Sequence, residues 1–142
     1  MKTNIGIEIK SEQAISDMLN NLLSDEYVLL TKTRNYHWHI LSMSFMELHK
    51  LYEGQYNYIR EIIDEVAERV LQLGQKASGT MKEFLEQTRL TEGPFTSRQA
   101  EQIKILLADH EAICRNIRED IETIDEEFND PVTVDKIGRA HV

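Results

Sequence analysis

Apolar residues recur at helical spacing along most of this chain, and that period constrains the fold more than any other feature. Ile15, Met18, Leu19, Leu22, Leu23, Leu29 and Leu30 fall on one side of a 3.6-residue repeat and predict a long first helix over roughly 11 to 40. Phe45, Leu48, Tyr52, Ile59, Ile62, Ile63, Val66, Val70 and Leu73 mark a second stripe. Ser44-Phe-Met-Glu47 has the form of a capping box that opens the second helix, and Gly74 is placed to end it. Thr80-Met-Lys-Glu83 is another capping box, predicting a short helix through about Thr88 before Gly93-Pro94 breaks the chain. A third long helix is expected from near Thr96-Ser97, with Ile103, Leu107, His110, Cys114, Ile117, Ile121, Ile124 and Phe128 as its seam. His110 and Cys114 lie within that seam and read as packing residues. With 2 Pro and 6 Gly in 142 residues, the composition favours an all-α bundle over a turn-rich β fold.

The C-terminal end departs from this pattern. Asn129-Asp130-Pro131 stops the third helix, and Thr133 followed by Asp135 resembles the opening of another. The chain then reads Asp135-Lys-Ile-Gly-Arg-Ala-His-Val142. The DNA string ATCGGAAGAGCACACGTC, a widely used sequencing-adapter sequence, encodes the same Ile-Gly-Arg-Ala-His-Val and is followed there by a stop codon. Residues 136–142 are therefore expected to be adapter read-through, with a natural fourth helix missing from this chain and His141 set aside as a ligand. Residues 1–10 read as an N-terminal extension and 11–135 as one incomplete domain.

Bulk chemistry narrows the function classes. No apolar run approaches the roughly 20 residues of a membrane span, and the N-terminus lacks a signal-peptide pattern. The single Cys114 cannot form an internal disulfide, so a cytoplasmic protein is expected. A net charge of −9 opposes a general nucleic-acid surface and suits the attraction of cations, although charge of this kind also serves solubility alone.

Three of the five histidines and the only Trp fall in NYHWHILSMSFMELHKLYEG, residues 35 to 54. Imidazoles among carboxylates suit iron, manganese or zinc, and several oxygen donors favour iron or manganese. The candidate ligands are His37 near the end of the first helix, and His49, Glu53, Asp64 and Glu68 on the second. His49 and Glu53 share one helix face, as do Asp64 and Glu68, and the four fall within an arc of roughly 100°. His49 and Asp64 are nevertheless about 22 Å apart at ~1.5 Å per residue, far beyond ligands of one ion. An antiparallel copy of the second helix, related by a two-fold axis near residue 58, would bring the acids of one subunit to the histidines of the other. The alternative for the carboxylates is a solvated helix face. His39 lies about 200° around the helix from His37 and reads as a surface or supporting residue. Tyr36 and Trp38 read as packing residues.

HWHILSMSFMELHKLYEGQYNYIREIIDEVAERVLQLG, followed by GTMKEFLEQ, resembles the Dps family of ferritin-like mini-ferritins over most of residues 11–135. The shared motif is His-Trp, a His twelve residues after the first, an acid four later, another acid eleven on, and a Glu four beyond. His37, His49, Glu53, Asp64 and Glu68 occupy those positions. The resemblance implies a ferritin-like four-helix bundle with a short crossover helix, assembled as a dodecamer. It also implies ferroxidase sites at two-fold interfaces, oxidising Fe(II), often with hydrogen peroxide, and storing ferric mineral against oxidative stress. His37 and His49 would bind the tighter iron with the partner's Asp64 and Glu68. Glu53 and Glu68 would hold the second, and Trp38 would intercept oxidising equivalents. This chain departs from the family in having Glu53 where Asp is usual and Ser42 where Gly is common after the first helix.

Some family members bind DNA, but the N-terminus offers only Lys2 and Lys10, partly offset by Glu8. A DNA-compacting protein with little catalysis and an inert truncated fragment are the alternatives. A ferritin-type site built from paired Glu-x-x-His motifs is disfavoured, since no His here has Glu three residues before it.

Overall fold

The helical stripes fold into an α-helical bundle in which one helix is the hub. The structure is a computed structural model and describes residues 4–141. Helix α1 spans Ile9–His39, α2 Phe45–Gln72, α3 Met81–Gln87, α4 Gln99–Thr123 and α5 Pro131–Gly138, with a π-helical turn, Ile124–Phe128, extending α4. Helices α2, α3 and α4 all pack on α1. Ile15, Leu19, Leu22, Leu23 and Leu29 of α1 meet Tyr52, Ile59, Ile62, Ile63, Val66 and Val70 of α2 in the core, every one of them buried. Among the described residues there is no strand, only an isolated bridge between Leu41 and Arg98.

Local chemistry explains most of the boundaries. Gly74 adopts φ 77°, a left-handed conformation that glycine reaches without steric cost, and ends α2. Thr80 and Glu83 form the complete capping box of α3. Glu83 is held at a pKa of about 2, chiefly by the Gly79 backbone N–H, then by Lys76 and Thr80. The Ser44 box does not form. Ser44 sits at φ −95°, ψ 36°, close to helical rather than in the extended geometry of a capping residue. Ser42 takes over the turn: its hydroxyl accepts the Ser44 N–H at 2.9 Å and donates to the Gln99 side chain. The Leu41 N–H donates to the Ser97 carbonyl at 3.0 Å. The α1–α2 turn is thereby tied to the start of α4, and Phe45, expected inside, is 39% exposed.

The first half of the α4 seam is a second correction, whereas Ile117 and Ile124 are buried as expected, with Ile121 and Phe128 packed against the core. Gln102, Leu106, Ile113 and Ile117 are its buried positions, whereas Ile103 and Leu107 are exposed and His110 and Cys114 only half-buried. Helix α4 turns Leu106 and Ile113 inward. Ile103, Leu107 and His110 instead line an open groove shared with Leu51, Tyr52 and Gln55 of α2.

Helix α5 crosses the boundary expected at residue 136. It is capped by Asp130, not Thr133: the Asp130 carboxylate accepts the Thr133 N–H, and Pro131 occupies the first turn, where a missing N–H costs nothing. Asn129 at φ 50° makes the preceding bend. Ile137 and Ala140, within the stretch assigned to read-through, are buried. Arg69 of α2 anchors this end, its Nη2 donating to both Asp130 oxygens at 3.0 and 2.9 Å and its Nε to Thr133 Oγ1 at 2.8 Å. Burial works against the Asp130 charge, but hydrogen bonds from Thr133 and Arg69 prevail and hold its carboxyl below the ordinary range.

Candidate metal centre

His37 and His49 are brought together by the sharp α1–α2 turn. His37 is buried in the last turn of α1, and His49 is half-buried one turn into α2. Their rings stack at 3.6 Å between centroids, inclined by 19°. The two residues lock each other reciprocally. His37 Nδ1 lies 2.7 Å from the His49 carbonyl oxygen, and His49 Nδ1 lies 3.0 Å from the His37 carbonyl oxygen. A carbonyl can only accept, so each Nδ1 must carry the proton and donate. The Nε2 atom of each ring then carries the lone pair, the tautomer needed by a metal ligand. Tyr56 stands edge-on to His37 at 5.3 Å, and Phe45 stacks on His49 at 5.0 Å, limiting ring rotation.

Helix α2 is unbroken from Phe45 to Gln72, so the separation read from spacing persists. Glu53 is exposed one helical turn beyond His49, while Asp64 and Glu68 are exposed near the other end. Among the described residues, no three His, Cys, Asp or Glu side chains of one chain are grouped to hold a metal ion. His37 at the end of α1 and His49 near the start of α2 thus lie together, while Asp64 and Glu68 lie toward the other end of α2, with about 22 Å between His49 and Asp64 at ~1.5 Å per residue.

The imidazole half lies beside exposed apolar surface. Trp38, expected to pack, is 62% exposed, and Leu41, Met43, Phe45 and Met46 are also exposed. Tyr36 does pack, fully buried, its hydroxyl donating to the Pro94 carbonyl at 2.9 Å. His39 is exposed, with Nδ1 2.8 Å from the Asn35 carbonyl oxygen and its ring against Phe95. The Arg34 guanidinium lies 5.6 Å from the ring centroids of both Trp38 and Tyr56, within cation–π range.

The family model for the ferritin-like domain matches residues 16–140. DNA protection during starvation protein 2 of Bacillus anthracis is 31% identical over 121 residues, covering 85% of this chain and 82% of that protein. This chain belongs to the Dps family. A low temperature-induced protein of Nostoc, itself uncharacterised, is 38% identical over 136 residues, covering 94% of this chain and 75% of its own. The crystal structure of a Dps protein from Vibrio cholerae, described as a member of the ferritin-like diiron-carboxylate superfamily, superimposes with a TM-score of 0.91. Its identity is 28%, over 97% of this chain and 87% of its own. The helical architecture of this Dps protein is accordingly ferritin-like, with α3 in the long α2–α4 crossover and α5 following α4.

One cluster was missed from sequence. Glu26 of α1 is completely buried, with His141 3.1 Å away and His110 beyond it. Its signal was present: residue 26 continues the buried series 15, 19 and 22 at helical spacing, so an acid there had to point inward.

Proposed function

We propose that this Dps protein is a ferroxidase and iron store whose catalytic sites are shared between two subunits. The reading is carried by the paired His37 and His49 rings, fixed through Nδ1 with both Nε2 atoms left as donors. Two α2 helices packed antiparallel about a two-fold axis near residue 58 would set these imidazoles against Asp64 and Glu68 of the partner subunit. Such an isologous contact makes two identical sites per dimer. The exposed patch of Trp38, Leu41, Met43, Phe45 and Met46 beside the histidines supplies apolar surface for that contact. Further association of dimers gives the dodecameric shell of the family reading.

The substrate is Fe(II). His37 and His49, with the partner's Asp64 and Glu68, bind the tighter iron, and Glu53 with Glu68 holds the weaker one. The carboxylates contribute most to the driving force: hard anionic oxygens favour the more highly charged ferric ion. Two Fe(II) ions each lose one electron, and hydrogen peroxide accepts both as its O–O bond breaks, yielding two hydroxides that leave as water after protonation. Peroxide and free Fe(II) are thereby removed together, which would protect against oxidative stress. The acidic surface, net −9, raises the local concentration of the cationic substrate. No helix among the described residues is long and apolar enough to cross a membrane.

Replacing His37 and His49 together by Ala should abolish rapid peroxide-driven Fe(II) oxidation, followed by ferric absorbance under anaerobic mixing. Wild-type rates in that variant would refute the assignment.

A further inference from the structure

Two oxidisable rings beside the histidine pair share a single cation. Arg34 and Trp38 stand one turn apart on α1, and Tyr56 of α2 sets its ring edge-on to His37 at 5.3 Å. The Arg34 guanidinium lies 5.6 Å from the centroid of each ring. Arg34 is exposed, yet among the described residues its side chain makes no ion pair or hydrogen bond, so the two rings are its partners. Neither the Trp38 indole N–H nor the Tyr56 hydroxyl has a hydrogen-bond acceptor among the described residues, so no protein base stands ready to draw off the proton an oxidised ring releases.

Electrostatics fixes the sign of what Arg34 does. A cation over a ring face is attracted by the negative face of the π system. Removing an electron from the ring turns that attraction into repulsion between two positive groups, still felt at 5.6 Å near a protein surface. Each ring is therefore harder to oxidise with Arg34 in place than without it.

We propose that Arg34 is a specificity-determining residue, whose charge over Trp38 and Tyr56 holds electrons on those rings so that oxidising equivalents formed beside His37 are met by iron. The consequence for iron rests on the ferroxidase reading, whereas the effect on the rings does not. It opposes the interception of oxidising equivalents by Trp38 that the family resemblance implies. The step held back begins when peroxide takes one electron from a single Fe(II), giving Fe(III), hydroxide and a hydroxyl radical. That radical becomes hydroxide by taking an electron from the Trp38 indole, which is left as a radical cation and then loses its N–H proton to water.

The test uses metal-free protein and trichloromethylperoxyl radical generated by pulse radiolysis. This oxidant is neutral, so charge does not bias its approach, and it takes one electron from indole to become its peroxide anion. Trp38 is the only tryptophan, so the visible absorption of the tryptophan radical reports this ring alone. Arg34→Gln should be oxidised roughly threefold faster than the parent and Arg34→Glu faster again, while Arg34→Lys stays within about twofold of the parent. The Gln and Glu variants have nearly the same shape, so packing or shielding alone would give them one rate. Equal rates in the parent, Gln and Glu proteins, or Gln and Glu variants that are faster but alike, would overturn the proposal. If the ordering by charge appears while the iron assay fails, the ring effect stands and the ferroxidase reading falls.

Discussion

Replacing Asp130 by Asn should destabilise the protein far more than an ordinary surface change, because it strands a guanidinium in the interior. The Arg69 and Asp130 side chains are 6% and 1% exposed and joined by two hydrogen bonds from a single Nη2. Removing one charge of such a buried pair costs about 3–5 kcal/mol, mostly the penalty of the uncompensated partner. Asparagine retains the shape and one acceptor for the Thr133 N–H, so the cap of α5 is only weakened. With a urea m-value of about 2 kcal/mol/M, a loss of about 4 kcal/mol lowers the unfolding midpoint by about 2 M. The companion Arg69→Met, Asp130→Asn double variant should recover much of that loss, since no buried charge remains. Arg69 directly follows Glu68, so the single variant should also loosen the carboxylate half of the proposed iron site. Chemical denaturation followed by far-UV circular dichroism measures all three proteins. A single-variant loss below about 1 kcal/mol, or a double variant no better than the single, would refute the reasoning.

The remaining expectations use other parts of the fold. The Asp130 carboxyl has a lowered folded pKa, so its stabilisation is present above the unfolded value of about 3.9 and is lost as pH falls through the folded value. Acid unfolding of the Asp130→Asn variant should therefore show a shallower pH dependence below about pH 4 than the parent. Glu26 has the opposite sign: burial first, then Asp25, pushes its pKa well up. Its protonated form favours folding, and stability falls as pH rises from the unfolded value of about 4.3 through the folded one. Glu26→Gln should thus stabilise the protein at neutral pH and have little effect at pH 4, read from thermal unfolding at both; equal effects would contradict this reasoning. Thr80→Ala removes the hydroxyl that accepts the Glu83 N–H and should cost about 1 kcal/mol, seen as faster amide exchange confined to α3.

Much of this was legible because long helices advertise their inner faces. Residues 15, 19, 22 and 29 of α1 and 52, 59, 62, 63, 66 and 70 of α2 are core positions by both spacing and burial. The Thr80 box formed with both of its reciprocal bonds, whereas the Ser44 box lost to Ser42, whose tie to Gln99 is set by tertiary position. The α4 seam held at Ile117 and Ile124 but slipped in its first half, because Ile103 and Leu107 line an open groove, a circumstance that no periodicity encodes. For the site, spacing anticipated that His49 and Asp64 stay apart. The reciprocal imidazole–carbonyl lock was invisible, because it depends on how the α1–α2 turn brings two backbones together. Trp38 is exposed for a related reason: it follows His37 by one residue and so points away from the side on which α2 packs.

Subunit complementation examines the shared-site claim most directly. Chains carrying His37→Ala with His49→Ala, and chains carrying Asp64→Ala with Glu68→Ala, should each be inactive alone. Unfolded together and refolded as a mixture, half of the dimers are mixed, and each mixed dimer has one site with all its ligands. Peroxide-driven Fe(II) oxidation should return to about one quarter of the wild-type rate, from the isologous geometry alone. A co-refolded mixture as inactive as its components, while forming mixed dimers by mass spectrometry, would contradict a centre assembled from two subunits.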